Sequence, residues 1–122
     1  MPARCLIVDD NGSFLEAASV LLERQGLTIA GVASTGAEAL QKAERLKPDV
    51  VLVDLMLGRE SGFEVARRLV DEDGQGPAVV LISTHSEADF ADLIAPTRAA
   101  GFVSKSDLSA GAIDRILAAR AG

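Results

Sequence analysis

Four stretches of this chain are almost continuously apolar and too short for helices: Ala3 to Val8, Leu27 to Ala33, Val50 to Val53, and Ala78 to Ile82. A strand with one wet face alternates apolar and polar residues, whereas an unbroken run of four to eight marks a strand covered on both faces. Gly101 to Val103 forms a shorter fifth run. Between the runs lie segments of helical period. Phe14, Ala17, Ala18, Leu21 and Leu22 fall on one face, and Ala39, Leu40, Ala43 and Leu46 on another. Thr35 with Glu38, and Ser61 with Glu64, fit the capping box that opens a helix. Gly26 stands where the first helix should stop, and Pro48 bars the second from continuing. Further helices are predicted over Ser61 to Val70, Ser86 to Leu93 and Ser109 to Ala119. Strand then helix, five times over, with right-handed crossovers, is an α/β fold: a doubly wound, five-stranded parallel sheet.

The 122 residues, 1–122, read as a single domain, with no internal repeat or linker. Trp and Tyr are absent and only four Phe occur, so Val, Leu, Ile and Ala must build the core. The formal net charge of -6 would repel a phosphate backbone, so no direct nucleic-acid contact is expected of this segment. A cation suits it better. Cys5 is the single cysteine, lies inside an apolar run, and reads as a packed, inert thiol. There is no signal-peptide pattern and no apolar run of about 18 residues, so a cytoplasmic protein with no membrane contact is expected.

In doubly wound sheets, ligands bind outside the carboxyl ends of the strands. At the ends of the runs stand Asp9 and Asp10, then Asp54, then Ser83 and Thr84, then Lys105. Any one of these could be an ordinary solvated strand end. Three carboxylates, a hydroxyl and an ammonium on one rim are a different matter, because clustered carboxylates repel and need a cation to offset the cost. The set suits phosphoryl transfer to a carboxylate. Asp10 and Asp54, helped by Asp9, offer hard oxygens to Mg²⁺. Lys105 supplies a second positive charge and Ser83 a hydrogen bond to the phosphoryl oxygens.

With these residues in place the chain resembles the receiver domains of two-component response regulators along essentially its whole length. The resemblance rests on Leu6-Ile7-Val8-Asp9-Asp10, on Val51-Leu52-Val53-Asp54-Leu55-Met56 with Gly62 downstream, on Val79-Val80-Leu81-Ile82-Ser83, and on Gly101-Phe102-Val103-Ser104-Lys105. It implies a flavodoxin-like strand order 2-1-3-4-5 and a phosphoryl group received on Asp54 from a sensor histidine kinase. It also implies that the backbone carbonyl of Met56 completes the Mg²⁺ site. Ser83 and Phe102 become a switch pair, with output through self-association or partner docking and an expected role in transcription regulation. On this reading the chain catalyses only its own phosphorylation and dephosphorylation. Lys105-Ser106-Asp107-Leu108 resembles receivers that precede a helix-turn-helix domain of the NarL or LuxR type, which implies a DNA-binding output domain as one partner outside this chain; the sequence leaves open whether the natural protein continues past Gly122.

The chain departs from the family at Gly58, where Pro is usual, at Thr84, where a small residue is usual, and at Ser106, where Pro often follows the Lys. His85 lies in the loop after the fourth strand, either as an exposed loop residue or as one tuning the acyl phosphate's lifetime. Arg67 and Arg68, with Glu64 and Asp71 at helical spacing, read as a solvated face. Ile113, Ile116 and Leu117 could line a dimer seam, but pack against the sheet by default. The competing reading is a receiver-like interaction module that dimerises without phosphotransfer. An aspartate-nucleophile phosphatase fits less well, because Met56 stands where such an enzyme needs an acid.

Overall fold

The computed structural model describes residues 3–70 and 76–121. Five parallel strands, β1 (Arg4–Val8), β2 (Thr28–Ala33), β3 (Val50–Asp54), β4 (Ala78–Ser83) and β5 (Gly101–Ser104), form one sheet in the order β2-β1-β3-β4-β5. The centre is held in strict register. Cys5 to Val8 pair with Val50 to Val53, which pair in turn with Ala78 to Leu81. Every residue of β3 and β4 is buried, the outcome that their unbroken apolar runs require.

Alternate side chains feed two cores. Cys5, Ile7, Leu52, Val80 and Ile82 meet Leu15, Ala18 and Leu22 of α1 (Gly12–Arg24) and Ile113 of α5 (Ala110–Ala121). Leu6, Val8, Val51, Val53 and Leu81 meet Ala39 of α2 (Gly36–Leu46) and Val65, Ala66 and Leu69 of α3 (Gly62–Leu69). Each fully buried Leu, Ile or Val contributes about 1.5–3 kcal/mol by leaving water.

The helix ends follow local chemistry. Thr35 accepts from the Glu38 N–H, while the Glu38 carboxylate accepts from the N–H of Ser34, one residue earlier than a capping box requires. The Ser34 bond comes first among the causes holding the Glu38 acid below its ordinary range. Ser61 opens α3 in the same way, but Glu64 turns instead to Arg67 and Arg68. After α1, Gly26 takes φ 101° and the Leu27 N–H returns to the Leu22 carbonyl, a Schellman closure. Lys47, ahead of Pro48, ends α2 in the left-handed region.

Two expectations are corrected. Leu21 is 39 % exposed and Ala17 is also exposed, because the inward face of α1 runs through Leu15, Ala18 and Leu22, rotated from the face the periodicity suggested. The helix expected over Ser86 to Leu93 is broken into a 3₁₀ turn (Glu87–Phe90), one turn of α-helix (Ala91–Ile94, α4) and a second 3₁₀ turn (Ala95–Thr97). Neither of the first two pieces has a buried residue to anchor it, Ser86 makes no side-chain cap, and Pro96 has no N–H to continue the ladder. A short antiparallel ribbon, Met56–Leu57 with Glu60–Ser61, comes after β3 and carries no sequence period long enough to read. Asp71 lies outside the described residues.

Candidate functional site

At the carboxyl rim, Asp9 follows β1, its N–H tied to the Ala33 carbonyl of β2 at 3.0 Å. It is fully buried. One of its oxygens accepts from the Asn11 N–H at 2.9 Å and the other from Lys105 Nζ at 2.6 Å. Asp54, the last residue of β3, is 8 % exposed. Its Oδ1 accepts from the Met56 N–H at 3.2 Å and its Oδ2 from Lys105 Nζ at 3.0 Å. Asp10 is exposed beside them, and one oxygen from each of the three carboxylates lies within 4.8 Å of the others. The site therefore gathers Asp9, Asp10, Asp54 and Lys105 from the ends of three strands, separated by up to 96 positions in sequence.

Two glycines shape the approach. A Cβ on Gly62 would lie 1.9 Å from the Asp54 carbonyl oxygen and 2.7 Å from Leu55 Cα, so only Gly lets α3 start against the backbone of Asp54. Its N–H donates to the Leu55 carbonyl at 2.8 Å. Gly58 takes φ 61°, within the ribbon turn, and faces Asp10 Oδ2. A Pro, with its φ fixed negative, could not hold that conformation. Glu60, passed over in the sequence, accepts from the Gly36 N–H at 3.0 Å and so joins this turn to the start of α2. Asn11, also passed over, caps α1 through the N–H groups of Ser13 and Phe14.

Burial pushes the Asp54 acid above its ordinary range, the Asp9 charge adding to the effect against the hydrogen bonds from Lys105 and Met56. Burial also disfavours the Lys105 charge, but its bonds to Asp9 and Asp54 outweigh that and raise its pKa. Three carboxylates against one ammonium leave two negative charges on hard oxygen donors. That excess and that donor type fit a divalent cation such as Mg²⁺.

Ser83 is buried, and its Oγ accepts from the His85 N–H at 3.0 Å. Thr84 is exposed, with its hydroxyl 3.4 Å from His85 Nδ1. The His85 ring is exposed and stands edge-on to Phe90 at 5.7 Å, and Phe90 in turn touches Phe63 at 5.9 Å. Phe102 is half-buried against the core on the α3 side. Arg67 and Arg68 form exposed pairs with Glu64 at 3.3 and 3.6 Å. Cys5 is buried and its thiol is pushed up to about 12, which makes it inert at neutral pH.

The family profile described as the response regulator receiver domain matches residues 5–116. This chain belongs to that family. Among relatives, the receiver domain is 37% identical over 89 residues to the alkaline phosphatase synthesis transcriptional regulatory protein PhoP of Bacillus subtilis, covering 73% of this chain and 37% of that protein. Its backbone is similar to that of a LuxR-family two-component response regulator from Aurantimonas (TM-score 0.86, 30% identity, 98% of this chain and 88% of that one). A Burkholderia pseudomallei response regulator, solved with a phosphorylated aspartic acid, a calcium ion and citrate, is also similar (TM-score 0.77, 25% identity, 94% of this chain and 66% of that one). The receiver domain spans half or less of the length of the curated relatives it matches. Among the described residues, no helix is long and apolar enough to cross a membrane.

Proposed function

We propose that Asp54 is the phosphoacceptor. One carboxylate oxygen attacks the phosphorus of a phosphohistidine on a sensor histidine kinase. The new O–P bond forms as the N–P bond breaks, and the imidazole leaves with the bonding electron pair and is protonated from solvent. The observation that carries this reading is the bridge made by Lys105 Nζ between buried Asp9 and Asp54, with Asp10 beside them. Such a site has little bond chemistry of its own to perform. It positions the acceptor and aims charge at the equatorial phosphoryl oxygens. The similar Burkholderia response regulator was solved with a phosphorylated aspartic acid and a calcium ion, which supports an aspartate acceptor and a divalent cation in this fold.

Asp9, Asp10, Asp54 and the Met56 carbonyl would hold Mg²⁺, which when bound neutralises charge on the phosphoryl oxygens. Lys105 leaves Asp54 Oδ2 for a phosphoryl oxygen, and Ser83 donates its hydroxyl proton to another. Ser83 is preferred to Thr84 because it is the buried one of the two, and its Oγ already accepts a backbone bond that leaves the O–H free to donate. Phe102, on the strand next to Ser83, turns inward as the hydroxyl moves, and so alters a groove of about 850 Å³ lined by Phe102, Arg115 and Ile116. Output then passes to a second copy or to a DNA-binding domain in a longer protein that regulates transcription, as the name of the Bacillus relative states for that protein. Residues 1–122 act as one receiver domain, in the cytoplasm, and catalyse only their own phosphorylation and dephosphorylation.

The test is intact-mass measurement after incubation with acetyl phosphate. Gain of one phosphoryl mass that requires Mg²⁺ and is lost in Asp54→Asn supports the reading. An unmodified wild-type chain, or an equally labelled variant, refutes it.

A further inference from the structure

Lys105 has a third partner that belongs to none of the acidic motifs. The ring of Phe14, in the first turn of α1, lies under the ammonium with Nζ 4.1 Å from its centroid. An ammonium carries three N–H donors. Two go to Asp9 Oδ2 and Asp54 Oδ2, and the ring face covers a further side of a side chain that is only 15 % exposed.

The position of the ring is itself fixed by the site. The Asn11 N–H donates to Asp9 Oδ1 at 2.9 Å, and Asn11 Oδ1 accepts from the Phe14 N–H at 3.2 Å. The contacts therefore close a circuit from one Asp9 oxygen through Asn11 and Phe14 to Lys105, and back to the other Asp9 oxygen. Asp54 is outside that circuit. Its oxygen is the one whose bonding changes when it takes a phosphoryl group.

We propose that Phe14 is a positioning residue for phosphoryl transfer, its ring face holding the Lys105 ammonium in place while that ammonium exchanges Asp54 Oδ2 for a phosphoryl oxygen. The proposal rests on the assignment of Asp54 as acceptor. An aliphatic side chain at this position fills space but offers no negative ring face, leaving an N–H of a partly desolvated ammonium without a partner. A Tyr keeps the face.

Phe14→Leu and Phe14→Tyr separate the two roles. Labelling by acetyl phosphate with Mg²⁺ should be about three- to tenfold slower in Phe14→Leu and within about twofold of wild type in Phe14→Tyr. In proton spectra of lysine-labelled protein, the Lys105 ε-methylene signals should be shifted by the ring current in wild type and Phe14→Tyr, and should lose that shift in Phe14→Leu. Wild-type rates in Phe14→Leu overturn the proposal. So does an equal slowing in both variants, which would make Phe14 a space filler. If wild type itself fails to label, the acceptor assignment has failed, and the lysine signals then decide whether the ring holds the ammonium.

Discussion

Three helices of this receiver domain begin with glycine, and only one of the three should be indispensable. A Cβ on Gly12 would meet nothing within 4 Å, and one on Gly36 would meet the Glu60 carboxylate at 2.5 Å and a Val65 methyl at 2.8 Å, both movable side chains. On Gly62 it would strike the carbonyl oxygen of Asp54 at 1.9 Å, far inside the 3.4 Å at which ordinary contact begins. Backbone cannot rotate away as a side chain can. In Gly62→Ala, α3 and the end of β3 must separate by about 1.5 Å, which also breaks the Gly62 N–H bond to Leu55. Overpacking of this kind costs about 1–3 kcal/mol and a buried carbonyl left unpaired about 1–3 more, so a loss of about 2–6 kcal/mol is expected. For a domain of this size, that lowers Tm by about 8–24 °C. A displacement of about 1 Å at the acceptor should also slow phosphorylation on the order of a hundredfold. Gly12→Ala is the control and should be neutral or stabilising by up to about 1 kcal/mol. Urea unfolding and acetyl phosphate labelling of the three proteins test the reasoning. Gly62→Ala within about 1 kcal/mol of wild type and labelled at the wild-type rate would refute it.

Asp54→Asn should raise stability at neutral pH. Because burial and the Asp9 charge raise the folded-state pKa of Asp54, its favourable contribution is complete below the unfolded value and is lost as pH rises through the folded one. Wild-type stability should therefore fall relative to the variant from about pH 4 upward. Parallel curves, or a less stable variant at pH 7, would contradict the assigned balance. Asp10→Asn should weaken Mg²⁺ binding by about tenfold or more, since it removes a charged ligand from a site of few protein oxygens. An unchanged midpoint in a Mg²⁺ titration followed by amide spectra would place the ion elsewhere. Lys105→Ala should spare metal binding but leave the amide signals of Ser83 and Phe102 unmoved by beryllofluoride, an acyl-phosphate mimic. Wild-type-like shifts in that variant would remove Lys105 from the relay.

The sheet is legible in the sequence because strands covered on both faces leave unbroken apolar runs, and no other short element does. Its rim is legible too, since Asp9, Asp54, Ser83 and Lys105 each stand at the end of a strand or just past it. What the sequence does not show is pairing between distant positions. Nothing at Lys105 says that it reaches Asp9 and Asp54, and nothing distinguishes Gly62 from Gly12 until the backbone of Asp54 lies beside it. Phe14 belongs by its spacing to an apolar stripe, which is correct in type, but its ring also faces an ammonium that arrives from the far end of the chain. Around α4 the sequence misleads, because helical spacing survives in Phe90, Leu93 and Ile94 although none of them is fully buried. Periodicity predicts a helix only where tertiary packing rewards it.

With Asp54 as the proposed acceptor, the phosphoryl group should land on Asp54 and on no other carboxylate of the rim. Borohydride reduces an aspartyl phosphate to homoserine and leaves free carboxylates untouched, so it marks the acceptor itself. Wild-type protein treated with acetyl phosphate and Mg²⁺, trapped in this way and digested, should yield peptides in which Asp54 alone is converted. Conversion of Asp9 or Asp10 instead, or recovery of Asp54 unchanged from protein that had gained a phosphoryl mass, would contradict the account.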